Sequence, residues 1–174
     1  MTADDRPSET AAVELLTIAN APLLARPFFE GGDPGPIARA LAHVPELIDT
    51  GMPFLDSVFG AGAIDARLRE IVVLRVSSAN GCHYCTETHS GVARRLEFDE
   101  EGIAALRGEL PVPAAWSEVE QAVLIFAEVI SSRPQHAVAH LRPHFNDAEI
   151  VELVTLAATT VMLNRFATAL ELRV

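Results

Sequence analysis

Asp65-Ala66-Arg67-Leu68-Arg69-Glu70-Ile71-Val72-Val73-Leu74-Arg75-Val76-Ser77-Ser78-Ala79-Asn80-Gly81-Cys82-His83-Tyr84-Cys85 decides the fold of this chain. Asp65 has the short acceptor side chain of a helix N-cap. Asn80-Gly81 is a stop, because glycine reaches the left-handed conformation that ends helices. The apolar residues between them keep helical spacing, so a helix is expected from Asp65 to about Ala79. A second helix carries the cysteines and extends to about Arg95. If the two pack antiparallel about the reversal, Glu70, ten residues before Asn80, comes level with His89, nine after it. Cys82, Cys85 and His89 then share one face, since neighbours at i+3 and i+4 lie on the same side. The expected order is Glu70, His89, then the thiols.

That order is a carboxylate–imidazole–thiol relay. A free thiol, with pKa about 8.5, is mostly protonated at neutral pH, and the thiolate is the nucleophile. A helix N-terminus favours the anion, an imidazole can take the proton, and a carboxylate can orient that imidazole. A second cysteine three residues away can attack the oxidised sulfur and close a disulfide. Three plainer readings compete: two buried cysteines, a solvated helix acid at Glu70, and a zinc site drawing on Cys82, Cys85, His89 and either His83 or Glu70. Structural zinc wants four tetrahedral ligands, and one continuous helix makes a poor cage.

The remainder of the chain also reads as helix. Period-two runs of β-branched residues are missing, and no Asn-Gly or Asp-Gly turn joins two alternating segments. Helices are expected at 9–19, 36–43, 45–59 (broken near Gly51 and Pro53), 99–108, 118–131 behind a Ser117/Glu120 capping box, 134–142, and 148–171 capped by Asp147. Gly31 to Pro36 reads as a loop. The fold class is all-α: one domain over 1–174, with an accessory helix and loop in about 1–35 and the core in about 40–174. Asp65–Val72 resembles Asp147–Val154 at an offset of 82, which sets Glu70 on Glu152 and Cys82, Cys85 and His89 on Asn164, Ala167 and Glu171. Two related helical units would then exist, only the first carrying chemistry.

Composition narrows the function. Apolar residues make up 49% and charged ones 21%, a globular balance. A formal charge of −11 disfavours phosphate backbones, so no nucleic-acid partner is expected. Charge interrupts the apolar stretches before the ~20 residues of a membrane span, and residues 1–10 lack a signal-peptide pattern. No membrane partner and a cytoplasmic location are the expectations, and there a CxxC pair is catalytic or metal-binding more often than a staple. His136, His140 and His144 recur every four residues, but Pro143 interrupts them, and they are expected at the surface or an interface. His43 reads as structural and Trp116 as a staple ahead of the Ser117 cap.

Glu70, Cys82-His83-Tyr84-Cys85 and His89 resemble the active-site signature of the alkyl hydroperoxidase D-like proteins of the carboxymuconolactone decarboxylase superfamily. Leu68–Ser77 leading into Asn80-Gly81-Cys82, and Asn164-Arg165-Phe166-Ala167 near the C-terminus, are similar too, so the likeness spans about 40–174. It implies an alkyl hydroperoxidase D-like helical fold in homo-oligomers such as trimers or hexamers. It also implies thiol-dependent peroxide reduction with no haem, flavin or metal, reset by an external dithiol, either a lipoyl-type or a thioredoxin-like protein. By that resemblance Cys85 is the peroxidatic thiol, Cys82 the resolving one, and His89 and Glu70 the relay. His83 would assist and Tyr84 would shape the pocket. Decarboxylases of the superfamily do not depend on the CxxC pair, so its presence points away from that reaction. A redox-sensing or partner-binding switch and a protein disulfide reductase are the other functions such a pair could serve.

Overall fold

The computed structural model describes residues 11–60 and 62–174, and all regular structure among them is helical. In chain order the helices are α1 (Pro36–Leu41), α2 (Pro45–Phe59), α3 (Ala66–Ala79), α4 (His83–Arg95), α5 (Glu100–Leu106), α6 (Glu118–Ser132), α7 (Pro134–Ala137) and α8 (Asp147–Ala169). Two 3-10 turns, Leu23–Phe29 and Val138–His140, complete the set.

Helix α3 is the centre. Glu70, Ile71, Val72, Val73 and Leu74 are five consecutive buried residues, so this helix is covered on several sides. It packs against α4, α6 and α8, with Phe126, Leu153 and Leu156 fully buried around it. Each such side chain contributes roughly 1.5–3 kcal/mol of gross burial energy. Both termini of α3 follow the sequence expectation: the Asp65 carboxylate accepts from the Arg67 N–H at 2.8 Å, and Gly81 at φ 67° ends the helix.

Helix α8 is long and apolar enough to cross a membrane by length and composition. Its buried residues, Ile150, Leu153, Leu156 and Ala157 among them, belong instead to the main core, so its apolarity is explained by packing. Its cap is Asn146, one residue before the expected Asp147, because Asn146 accepts from the Ala148 and Glu149 N–H groups while Glu149 returns the bond to the Asn146 N–H.

Three expectations need correction. Residues 11–19 carry no helix; residues 9 and 10 of that expected element lie outside the described residues. The segment is irregular and tied down by tertiary bonds: Ala12 N–H to the Leu170 carbonyl, and the Arg39 guanidinium to the Leu15 and Leu16 carbonyls at 2.9 Å. Helix α2 runs unbroken past Gly51 and Pro53, since burial of Ile48 and Leu55 holds both halves in line. The 134–142 helix is shorter than expected, dividing into α7 and a 3-10 turn before Pro143.

Candidate active site

The reversal between α3 and α4 places Cys82. Gly81 N–H bonds the Ser78 carbonyl at 3.0 Å and Cys82 N–H bonds the Ser77 carbonyl at 3.1 Å, a Schellman closure. Cys82 therefore ends one helix and caps the next: its Sγ accepts from the Cys85 N–H at 3.3 Å. Cys85 sits in the first turn of α4, where unpaired N–H groups favour a thiolate. Cys82 and Cys85 are joined as a disulfide, with Cα atoms 5.3 Å apart.

Antiparallel packing of α3 and α4 brings the expected pair together. His89 Nδ1 lies 3.0 Å from Glu70 Oε1 and 3.3 Å from Oε2. Glu70 is only 5% exposed, so this acid is no solvated helix residue. Against an ionised carboxylate a neutral imidazole carries its hydrogen on Nδ1, which leaves the Nε2 lone pair free to accept a proton.

The cysteines face different spaces. Cys85 and His89 border a cavity of about 230 Å³, whose wall also includes Thr88, Thr160, Asn164 and the apolar Phe59. Cys82 borders an open groove of about 830 Å³, together with His83, Glu87, Glu171 and Arg173. Tyr84 touches both. Burial pushes its phenol above the ordinary value and Asp33 adds to that, against a hydrogen bond with Thr88, so the hydroxyl stays neutral near pH 7. His83 is exposed and lies on the groove side alone.

Sequence reasoning did not assign Thr160 or Asn164 to the site. Both come from α8, more than seventy residues from Cys85, and only tertiary packing brings them there. Asn164 is buried and its Nδ2 donates to Ser77 Oγ at 3.0 Å. His136, His140 and His144 are all exposed, and no cluster of three metal-ligating side chains occurs among the described residues. The His43 Nε2 pairs with the Glu14 carbonyl at 2.8 Å, tying down the N-terminal segment. Trp116 packs on Phe98, with ring centroids 5.7 Å apart.

Residues 45–128 match the carboxymuconolactone decarboxylase family. Among solved structures, a putative antioxidant defence protein AhpD from Agrobacterium tumefaciens, of unknown function, superposes with a TM-score of 0.66 at 26% identity, over 76% of this chain and 92% of its own. An uncharacterized peroxidase-related protein from Silicibacter sp. TM1040 gives 0.79 at 23% identity, over 98% and 94%. The debrominase Bmp8 gives 0.76 at 22% identity, over 97% and 92%. The fold is alkyl hydroperoxidase D-like throughout the matched length.

Proposed function

The chain belongs to the alkyl hydroperoxidase D-like/carboxymuconolactone decarboxylase superfamily, and from that premise we propose that it is a thiol peroxidase acting without haem, flavin or metal. The observation that carries this is a buried Glu70 paired with a half-buried His89 whose imidazole shares a cavity with Cys85 of a CxxC disulfide.

In the reduced protein His89 Nε2 takes the Cys85 proton, and Glu70 stabilises the imidazolium that results. The Cys85 thiolate attacks the terminal oxygen of a hydroperoxide. The S–O bond forms, the O–O bond breaks, and the leaving alkoxide takes the proton from His89 and departs as an alcohol. Cys85 is now a sulfenic acid. Cys82 displaces its hydroxyl as water and the disulfide closes. An external dithiol, of lipoyl type or on a thioredoxin-like protein, reopens the disulfide and is oxidised in its place.

We place the protein in the cytoplasm as a homo-oligomer, a trimer or hexamer. Exposed Leu47, Phe54, Val151 and Met162 supply apolar surface for subunit contacts. Its substrates are organic hydroperoxides or hydrogen peroxide, and the net charge of −11 argues against nucleic acid.

Reduced protein mixed with cumene hydroperoxide should lose two thiols per peroxide, and Cys85→Ser should abolish the loss. Unchanged thiol loss in that variant contradicts the assignment. A redox switch is the competing reading, favoured by the packing of Cys82 and Cys85 against Ala167 and Leu172 at the end of α8. It predicts a change of assembly on oxidation with no turnover under any dithiol donor.

A further inference from the structure

The Oδ1 of Asn164 is buried and has no hydrogen-bond partner. The residue is 1% exposed. Its other amide end is committed, since Nδ2 donates to Ser77 Oγ at 3.0 Å, and that bond orients the group. A buried carbonyl without a donor costs free energy, and such a group in a native structure calls for an explanation. Here the explanation lies in its position, because Asn164 borders the cavity that holds Cys85 and His89.

The remaining wall is informative. Ile37, Phe59, Val73 and Leu163 give it an apolar side, contributed by α1, α2, α3 and α8. An occupant of this cavity should therefore carry an apolar body with one hydrogen-bond donor. An organic hydroperoxide, R–O–O–H, has that character, and hydrogen peroxide has no apolar body to fill the space. His89 is occupied with proton transfer and its Nδ1 with Glu70, so neither is free to hold the substrate in register. The Asn164 carbonyl is.

We infer that Asn164 is a substrate-positioning residue: its Oδ1 accepts the hydroperoxide O–H and holds the terminal oxygen toward Cys85, while the alkyl group rests on Phe59 and Leu163. This rests on the peroxidase reading for its biological meaning. The cavity volume of about 230 Å³ suits a single small organic molecule.

The test uses the reduced full-length protein and reads alkylation of Cys85 by iodoacetamide with mass spectrometry. Cumyl alcohol presents an O–H on an apolar group, and cumene is the same group without it. Cumyl alcohol should protect Cys85 at concentrations about tenfold lower than cumene does. Asn164→Leu should make the two equal and slow thiol oxidation by cumene hydroperoxide about 10- to 100-fold. Its unprotected alkylation rate and the pH profile of that rate should stay within about twofold, which a general disruption of the thiol's surroundings would not allow. Asn164→Ala serves the same comparison if the leucine variant does not fold. Equal protection by alcohol and hydrocarbon in the unaltered protein overturns the inference, as does a folded Asn164 variant that keeps the alcohol preference. Protection requires no turnover. A protein that consumes no peroxide would thus sink the peroxidase reading while leaving the Asn164 assignment to stand or fall on protection alone.

Discussion

Helices α3 and α8 begin with similar sequences, yet their matching acids do different work. Glu70 of α3 turns inward to His89 at 3.0 Å. Glu152 of α8 reaches the chain just before α3, where its carboxylate accepts from the Ala63 and Ile64 N–H groups at 3.1 and 3.3 Å. It thereby fixes how the polypeptide enters α3. Downstream, α3 is followed by a reversal and the cysteines, whereas α8 continues through Asn164 and Ala167 in one unbroken helix. One pattern of letters gives a carboxylate–imidazole pair in one place and a structural clamp in the other. The partner decides the role: an imidazole gives an acid the pairing that the proposed relay needs, and backbone amides make it a cap.

The largest effect should come from the nucleophile. Cys85→Ser should lower peroxide turnover by at least about 10³-fold, measured with a dithiol donor in excess. Cys82→Ser should stop turnover as well but leave one equivalent of peroxide consumed per subunit, the product being a sulfenic acid on Cys85.

The two acids break or sharpen the comparison directly. Glu70→Gln should slow thiol oxidation about 100-fold, because His89 loses the charge that stabilises its protonated form. Glu152→Ala should change that rate by less than about twofold and cost about 1–3 kcal/mol in urea unfolding, since two N–H groups lose their acceptor. If Glu152→Ala cripples catalysis as badly, the division of labour between the helices is wrong.

Smaller effects refine it. A Cβ at Gly62 would meet the Glu152 carboxylate, whose flexible end can move aside. Gly62→Ala should therefore cost about 1 kcal/mol of stability with no change in the peroxide rate. Glu120 offers a third acid, remote from both helices' special roles. Burial alone would raise its pKa, but hydrogen bonds from Arg67 and Ser117, with the Arg67 charge, hold it below the ordinary value. A lowered folded-state pKa stabilises the fold above the unfolded-state value, and that stability disappears as pH falls through the folded value. Glu120→Gln should thus cost about 1 kcal/mol at pH 7 and almost nothing once the carboxyl is protonated, read from unfolding midpoints across that range.

Much of the site was legible because it is local. Asp65, Asn80-Gly81 and the spacing of Glu70 and His89 are all set by two helices and one turn, and short-range rules govern those. The Ser117/Glu120 box on α6 is local in the same sense, and the structure has both of its bonds. What escaped is what depends on distance. Residues 11–19 have helical apolar spacing, but bonds from Arg39 to the Leu15 and Leu16 carbonyls hold them out of a helix, and no rule within that stretch anticipates it. Asp147 was expected as the cap of the last helix. Asn146 takes the position because its amide oxygen reaches two N–H groups. Asn164 and Thr160 entered the site only through the packing of α8 on α3, which no spacing within α8 encodes.

The most direct test of the relay is chemical trapping of the oxidised thiol in the Cys82→Ser protein. After one equivalent of cumene hydroperoxide, dimedone labelling followed by mass spectrometry should place the adduct on Cys85. It should appear about 100-fold more slowly when Glu70→Gln is added and at an unchanged rate when Glu152→Ala is added. No adduct on Cys85, or one that forms equally fast in all three proteins, contradicts a Glu70–His89 relay acting on that sulfur.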